Sequence, residues 1–204
     1  MNKIKITALV LALAAIFTIP ALASTSLSAS DVFTDVAGNF AEDEIMDFYT
    51  SGIIHGYPDG TFKPDANITR AEAAAIISRI GIGVPGTGTQ KTFSDVPADS
   101  WFETYVKNIS TTDYLPGADD KFNPGSSVDR LEGGVIAGDL SPATDISGVT
   151  LTYTDLGGLT SDQLDLIKKL DALGVISMFG DDTYGPTLPL TRSQFVMLLS
   201  QVTI

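Results

Sequence analysis

"ITRAEAAAIISRI", residues 68–80, reads as the start of a helix with one charge out of place. Thr69 and Glu72 have the spacing of a capping box, in which a hydroxyl and a carboxylate satisfy backbone N–H groups left orphaned at a helix N-terminus. Arg70 lies between them. A helix N-terminus carries roughly half a positive charge, so a first-turn arginine is disfavoured by a few tenths of a kcal/mol. The chain has four arginines, Arg70, Arg79, Arg130 and Arg192. Three of them recur at this same awkward position.

The recurrence extends along the chain. Phe33-Thr34-Asp35-Val36 returns as Phe93-Ser94-Asp95-Val96 and as Tyr153-Thr154-Asp155-Leu156, 60 residues apart each time. Phe62-Lys63-Pro64 returns as Phe122-Asn123-Pro124 and Tyr184-Gly185-Pro186, and the Thr69-Arg70 helix start as Asp129-Arg130 and Thr191-Arg192. Self-similarity at a fixed period marks a repeat architecture. The repeats are placed at 33–82, 93–140 and 153–204, separated by residues 83–91 and 141–150, which are rich in Gly, Pro, Ser and Thr and read as linkers.

Each unit reads helix, loop, helix. In the first, an apolar stripe over residues 40–51 ends at Gly52, a C-cap signal. "GYPDGTFKP" (56–64) follows, with Pro58-Asp59-Gly60 supplying turn chemistry and Phe62 plugging the core. The second helix runs from the capping box to about Arg79. A two-helix unit of this size cannot bury its own apolar face. The predicted fold is therefore mainly α, three helix-loop-helix units packed as a pseudo-threefold bundle.

The chain has 204 residues, 44% of them hydrophobic, and a net charge of −13. Lys3 and Lys5, an apolar run from Ile6 to Pro20 and the small-x-small Ala21-Leu22-Ala23 predict a signal peptide over 1–23, an uncleaved anchor being the alternative. Those lysines are the segment's only charges, so cleavage takes the net charge from −13 to −15. Such a balance excludes nucleic acid and anionic lipid as general partners. No later stretch spans a membrane. Without cysteine there is no disulfide, no lipid-attachment thiol and no thiol chemistry.

These motifs resemble the S-layer homology domain, in triplicate. The first unit matches that family nearly letter for letter, through the aromatic-x-Asp-Val start, the Gly-Ile-Ile-x-Gly-Tyr-Pro-Asp-Gly-Thr-Phe-x-Pro loop and the Thr-Arg-Ala-Glu helix. The second departs at Asp113, in place of Gly52, and in a shortened loop, Gly117 to Phe122. The third carries Leu159 where the first has an aromatic, Met178 at the place of Gly56, and Gln194 at that of Glu72. The resemblance implies a secreted protein of the cell wall or S-layer. It would bind anionic secondary wall polysaccharide linked to peptidoglycan, in the best-understood cases a pyruvylated polymer with an acetal carboxylate, in grooves between repeats.

Two readings of the arginines stand side by side. In one, each pairs with an acid of a neighbouring repeat, such as Asp35, Asp95 or Asp155, and stitches the units together. In the other, Arg70, Arg130 and Arg192 stand beside free helix N–H groups and make anion pockets, while Phe40, Tyr57 or Trp101 stacks on a sugar ring. Nothing predicts catalysis, a cofactor or a metal. His55 reads as a polar loop residue, and Asp119-Asp120 and Asp181-Asp182 as turn residues without calcium-loop spacing. No cargo region is expected beyond the third repeat, an expectation that favours a self-assembling subunit of a surface layer or filament as the alternative to a binding module. A free segment over residues 24–32 docking on a neighbour would serve that alternative.

Overall fold

A capping residue, a helix-forming run and a left-handed stop define the second helix of the first repeat. Thr69 accepts from the Glu72 N–H, the Glu72 carboxylate accepts from the Thr69 N–H at 2.9 Å, and the helix ends at Gly81 with φ +100°. The structure is a computed structural model that describes residues 28–81, 89–142, 144–179 and 182–203. The signal segment, most of the first linker and Asp181 lie outside them. The helices are α1 (Ala29–Val32), α2 (Glu42–Thr50), α3 (Arg70–Ile80), α4 (Glu103–Ile109), α5 (Arg130–Leu140), α6 (Ser161–Ala172) and α7 (Arg192–Thr203), with a 3-10 turn over Val175–Phe179. Mainly α is the observed class. No helix among the described residues is long and apolar enough to cross a membrane.

The capping boxes of the other repeats form with the substituted residues. Asp129 accepts from the Glu132 N–H at 2.8 Å, and Gln194 closes its box with Thr191 through bonds of 3.1 Å in both directions. Aspartate and glutamine supply the same acceptor geometry as threonine and glutamate.

Packing runs between repeats in a cycle. Each second helix lies on the first helix of the next unit, α3 on α4, α5 on α6 and α7 on α2. At the centre the backbone closes a ring: Ile68 N–H donates to Leu190 at 3.0 Å, Leu190 N–H to Val128 at 2.9 Å, and Val128 N–H to Ile68 at 3.0 Å. All three side chains are fully buried. No unit can satisfy these groups alone.

The aromatic-x-Asp motif acts within its own repeat. Asp35 accepts from the N–H groups of Phe62 and Lys63, both at 2.8 Å; Asp95 does so from Phe122 and Asn123 at 2.8 Å, and Asp155 from Tyr184 at 2.9 Å and Gly185 at 2.7 Å. The clamp sits where the chain turns left-handed, at Lys63 (φ 58°), Asn123 (φ 56°) and Gly185 (φ 67°). It drives Phe62, Phe122 and Tyr184 into the core, each no more than 1% exposed. Partial burial opposes ionisation of Asp95 and Asp155, but the paired backbone donors outweigh it and hold both below the ordinary carboxylate range.

Helix α5 contains Gly133, Gly134 and Gly138, a poor helix composition with a packing reason. A Cβ on Gly134 would overlap the Tyr184 hydroxyl, which donates to the Arg130 carbonyl at 2.7 Å. Gly134→Ala gains about 1 kcal/mol of helix propensity. The change nevertheless displaces Tyr184, and urea unfolding is expected to show a net loss of stability; a gain would contradict this packing.

Candidate functional site

Each first-turn arginine reaches into the aromatic-Pro loop of the next repeat. Arg70 is 7% exposed; its Nε donates to the Phe122 carbonyl at 2.8 Å, its Nη2 to Leu115 at 3.0 Å and Pro116 at 2.8 Å, and its Nη1 pairs with Glu132. Arg192 is as deeply buried, with Nε on the Phe62 carbonyl at 2.8 Å and Nη1 on Glu72 at 3.0 Å. Arg130 reaches Tyr184 at 2.9 Å and Phe179 at 3.4 Å, while its buried Nε has no partner among the described residues. Gln194 is neutral, so Arg130 lacks the ion pair its counterparts have. The acids reached are thus the capping glutamates of the next repeat, Glu132 and Glu72, and not Asp35, Asp95 or Asp155, whose oxygens are occupied by their loop clamps.

The helix N–H groups beside these arginines are not free. Arg70 and Ala71 donate to Ser126 and Pro124, Arg130 and Leu131 to Leu188 and Pro186, Arg192 and Ser193 to Ala66 and Pro64, at 2.8 to 3.0 Å. Carbonyls of the next loop therefore occupy the place an anion would take. This also resolves the misplaced charge, because the same loop receives both the helix terminus and the guanidinium.

Beside this interlock lies a cavity of about 470 Å³ to which all three repeats contribute. Its walls are the loop over residues 54–58, the face of α3 that carries Glu72, Ala75, Ile76 and Arg79, Trp101 of the second repeat and Arg192 of the third. Trp101 is 59% exposed, an apolar plate at the rim. Gly56 is required where the loop crosses Phe33: a Cβ there would meet the Thr61 carbonyl at 2.7 Å.

Tyr57, Glu72 and Arg192 form a knot on the cavity wall. The Tyr57 hydroxyl donates to Glu72 at 2.5 Å, and the Arg192 guanidinium lies 4.9 Å from the Tyr57 ring centre. Burial, aided by that hydrogen bond, pushes the Tyr57 pKa up to about 12. Burial also opposes ionisation of Glu72, but Tyr57, the Thr69 N–H and Arg192 together hold its carboxyl below the usual range. Arg79 donates to the Ile53 carbonyl at 3.2 Å and the Tyr105 hydroxyl at 2.9 Å, with Tyr105 in turn edge-on to Trp101.

Of the residues singled out in the sequence, the cavity gathers Tyr57, Trp101 and Arg192. Arg70, Arg130, Asp35, Asp95, Asp155 and Phe40 do not line it, although Phe40 is 56% exposed elsewhere. Glu72, read as a cap only, His55, read as a polar loop residue, and Arg79 do line it. Arg79 carries a usable signal: positions 72, 76 and 79 share one helical face.

The sequence profile of the S-layer homology domain matches residues 32–74, 92–132 and 152–196. The chain belongs to the S-layer homology domain family. It is 30% identical over 161 residues to Cell surface glycoprotein 1 of Acetivibrio thermocellus, covering 72% of this chain and 7% of that protein. It is 29% identical over 160 residues to the Cellulosome-anchoring protein of the same organism, covering 72% of this chain and 34% of that protein. An S-layer protein of Bacillus licheniformis is 32% identical over 136 residues, 64% of this chain and 15% of that protein. The chain thus matches about a third or less of each relative's length. As an S-layer homology protein, its place is among secreted proteins of the cell wall and surface layer.

Acidification tests the knot. The folded Glu72 pKa is depressed, so its contribution is present above the unfolded value of about 4.3 and is lost as pH falls through the lower folded value. Glu72→Gln is expected to be less stable than the parent at pH 6, because Arg192 loses its partner, and to lose less melting temperature between pH 6 and pH 3. An equal acid decline in both proteins would refute the assignment.

Proposed function

We propose that this S-layer homology triplet attaches its chain non-covalently to cell-wall polysaccharide linked to peptidoglycan, through the groove that Tyr57, Arg79, Trp101 and Arg192 line. The observation that carries the reading is the cavity itself. It joins an exposed indole to cationic and hydrogen-bonding groups on a wall built from three repeats. An indole face covers the apolar face of a sugar ring while polar groups fix its orientation. Family membership and the surface and anchoring proteins among the relatives support an anchoring role of a non-enzymatic kind. A pyruvylated polymer is the finer form of the proposal, with the acetal carboxylate directed at the guanidinium side of the groove.

The alternative, a self-assembling subunit, would be favoured by a free N-terminal segment docking on a neighbour. Its described part, residues 28–32, packs on the chain's own core through Ala29, 3% exposed.

Co-sedimentation with purified sacculi tests the proposal, before and after the secondary polymer is stripped by acid. Pelleting is expected only with unstripped sacculi, and Trp101→Ala is expected to weaken it roughly tenfold, equivalent to about 1.4 kcal/mol. Leu173→Ala, an exposed site away from the cavity, serves as the control. Equal pelleting on stripped sacculi, or no effect of Trp101→Ala, would overturn the assignment of this groove.

A further inference from the structure

Four arginines serve a chain of net charge −13, and their engagements differ. Arg70 and Arg192 are neutralised by partly buried capping glutamates. Arg130 forms no ion pair among the described residues, but it does not line the cavity: its guanidinium lies 4.5 Å from the Phe179 ring centre and donates to the Phe179 and Tyr184 carbonyls. Arg79 alone combines the two properties. It lines the cavity and, among the described residues, forms no ion pair, its donors resting on a neutral carbonyl and a phenol.

The same helical position differs in charge in every repeat. Arg79 stands ten residues into the motif that begins with Arg70; Asp139 has that place after Arg130, and Gln201 after Arg192. Asp139 is exposed and receives the Tyr114 hydroxyl. With Arg192 and Glu72 cancelling, the first groove has one uncompensated positive charge. With Arg70 and Glu132 cancelling, the corresponding face of the second repeat has one uncompensated negative charge. That face also carries Ala118 where the first loop has Tyr57, and Leu159 where the next repeat would supply an aromatic.

We infer that Arg79, rather than the three first-turn arginines, sets the ligand charge: the first groove selects a carboxylate-bearing segment of polymer, and the second, with Asp139 at the same position, refuses it. Half-buried and already fixed by Ile53 and Tyr105, the Arg79 guanidinium loses little conformational freedom when a carboxylate arrives. A flexible surface lysine would lose more. Selection by one residue per groove leaves one acidic-ligand site per chain.

The inference rests on the wall-binding reading, and the test separates the two. Soluble wall polymer is titrated into the protein in its native form and after its carboxyls have been reduced to alcohols. The parent is expected to bind the native form at least about tenfold more tightly than the reduced form. Arg79→Gln is expected to bind both forms equally, Arg79→Lys to keep part of the preference, and Asp139→Asn to leave the affinity of the first groove unchanged. Circular dichroism confirms the fold of each variant, and the lysine variant retains the test if Arg79→Gln does not fold. Equal binding of both forms by the parent, or a preference that survives Arg79→Gln, would overturn the inference while leaving wall binding intact. A parent that binds two carboxylate-bearing segments per chain would overturn the exclusion of the second groove. A parent that binds neither form would overturn both readings.

Discussion

Three backbone hydrogen bonds, from Ile68 to Leu190, from Leu190 to Val128 and from Val128 back to Ile68, hold the centre of this molecule, and the rest of its architecture follows from them. A buried N–H without a partner costs free energy comparable to a lost hydrogen bond. Each repeat therefore depends on a neighbour to complete the backbone at its second-helix start. The first two N–H groups of α3, α5 and α7 run the other way round the cycle: they donate to the loop of the next unit, whereas each ring amide donates to the preceding one. A first-turn arginine is tolerated in that setting because carbonyl oxygens already converge there. What is unfavourable for an isolated helix becomes an attachment point between repeats.

The groove is a consequence of the same offset. Because α3 lies on α4 rather than within its own unit, the aromatic that opens the second repeat comes beside the loop of the first. Because Arg192 inserts its guanidinium beside Phe62, the third repeat forms part of the same wall. The site is thus a by-product of cyclic closure, and its lining changes with every substitution between repeats. Asp139 and Gln201 in place of Arg79, and Ala118 in place of Tyr57, give the corresponding positions of the other repeats a different chemistry.

Much of the fold is legible in the sequence because local rules determine it. The 60-residue recurrence exposes the units, and the Thr69, Asp129 and Thr191 caps locate helix starts that the structure places at Arg70, Arg130 and Arg192. The aromatic plugs are legible for the same reason, each lying between turn residues and a proline. Partner choice is not legible. Asp35 and Glu72 are both acids near an arginine in pattern, and only the folded chain shows that Asp35 holds the Phe62 and Lys63 amides while Glu72 takes Arg192. Arg79 escapes a motif-based reading because it belongs to no repeated motif; helical geometry puts it on the Glu72 face, but nothing in the spacing says which face borders a cavity.

Native-state hydrogen exchange at the Ile68, Val128 and Leu190 amides, followed over a series of denaturant concentrations, tests the cyclic closure most directly. If the ring ties the three repeats into one unit, all three amides exchange only through global unfolding, with the same free energy and the same denaturant dependence. An amide that exchanges through a smaller opening, with a shallower dependence on denaturant than the other two, would show a repeat that opens independently and would contradict the account.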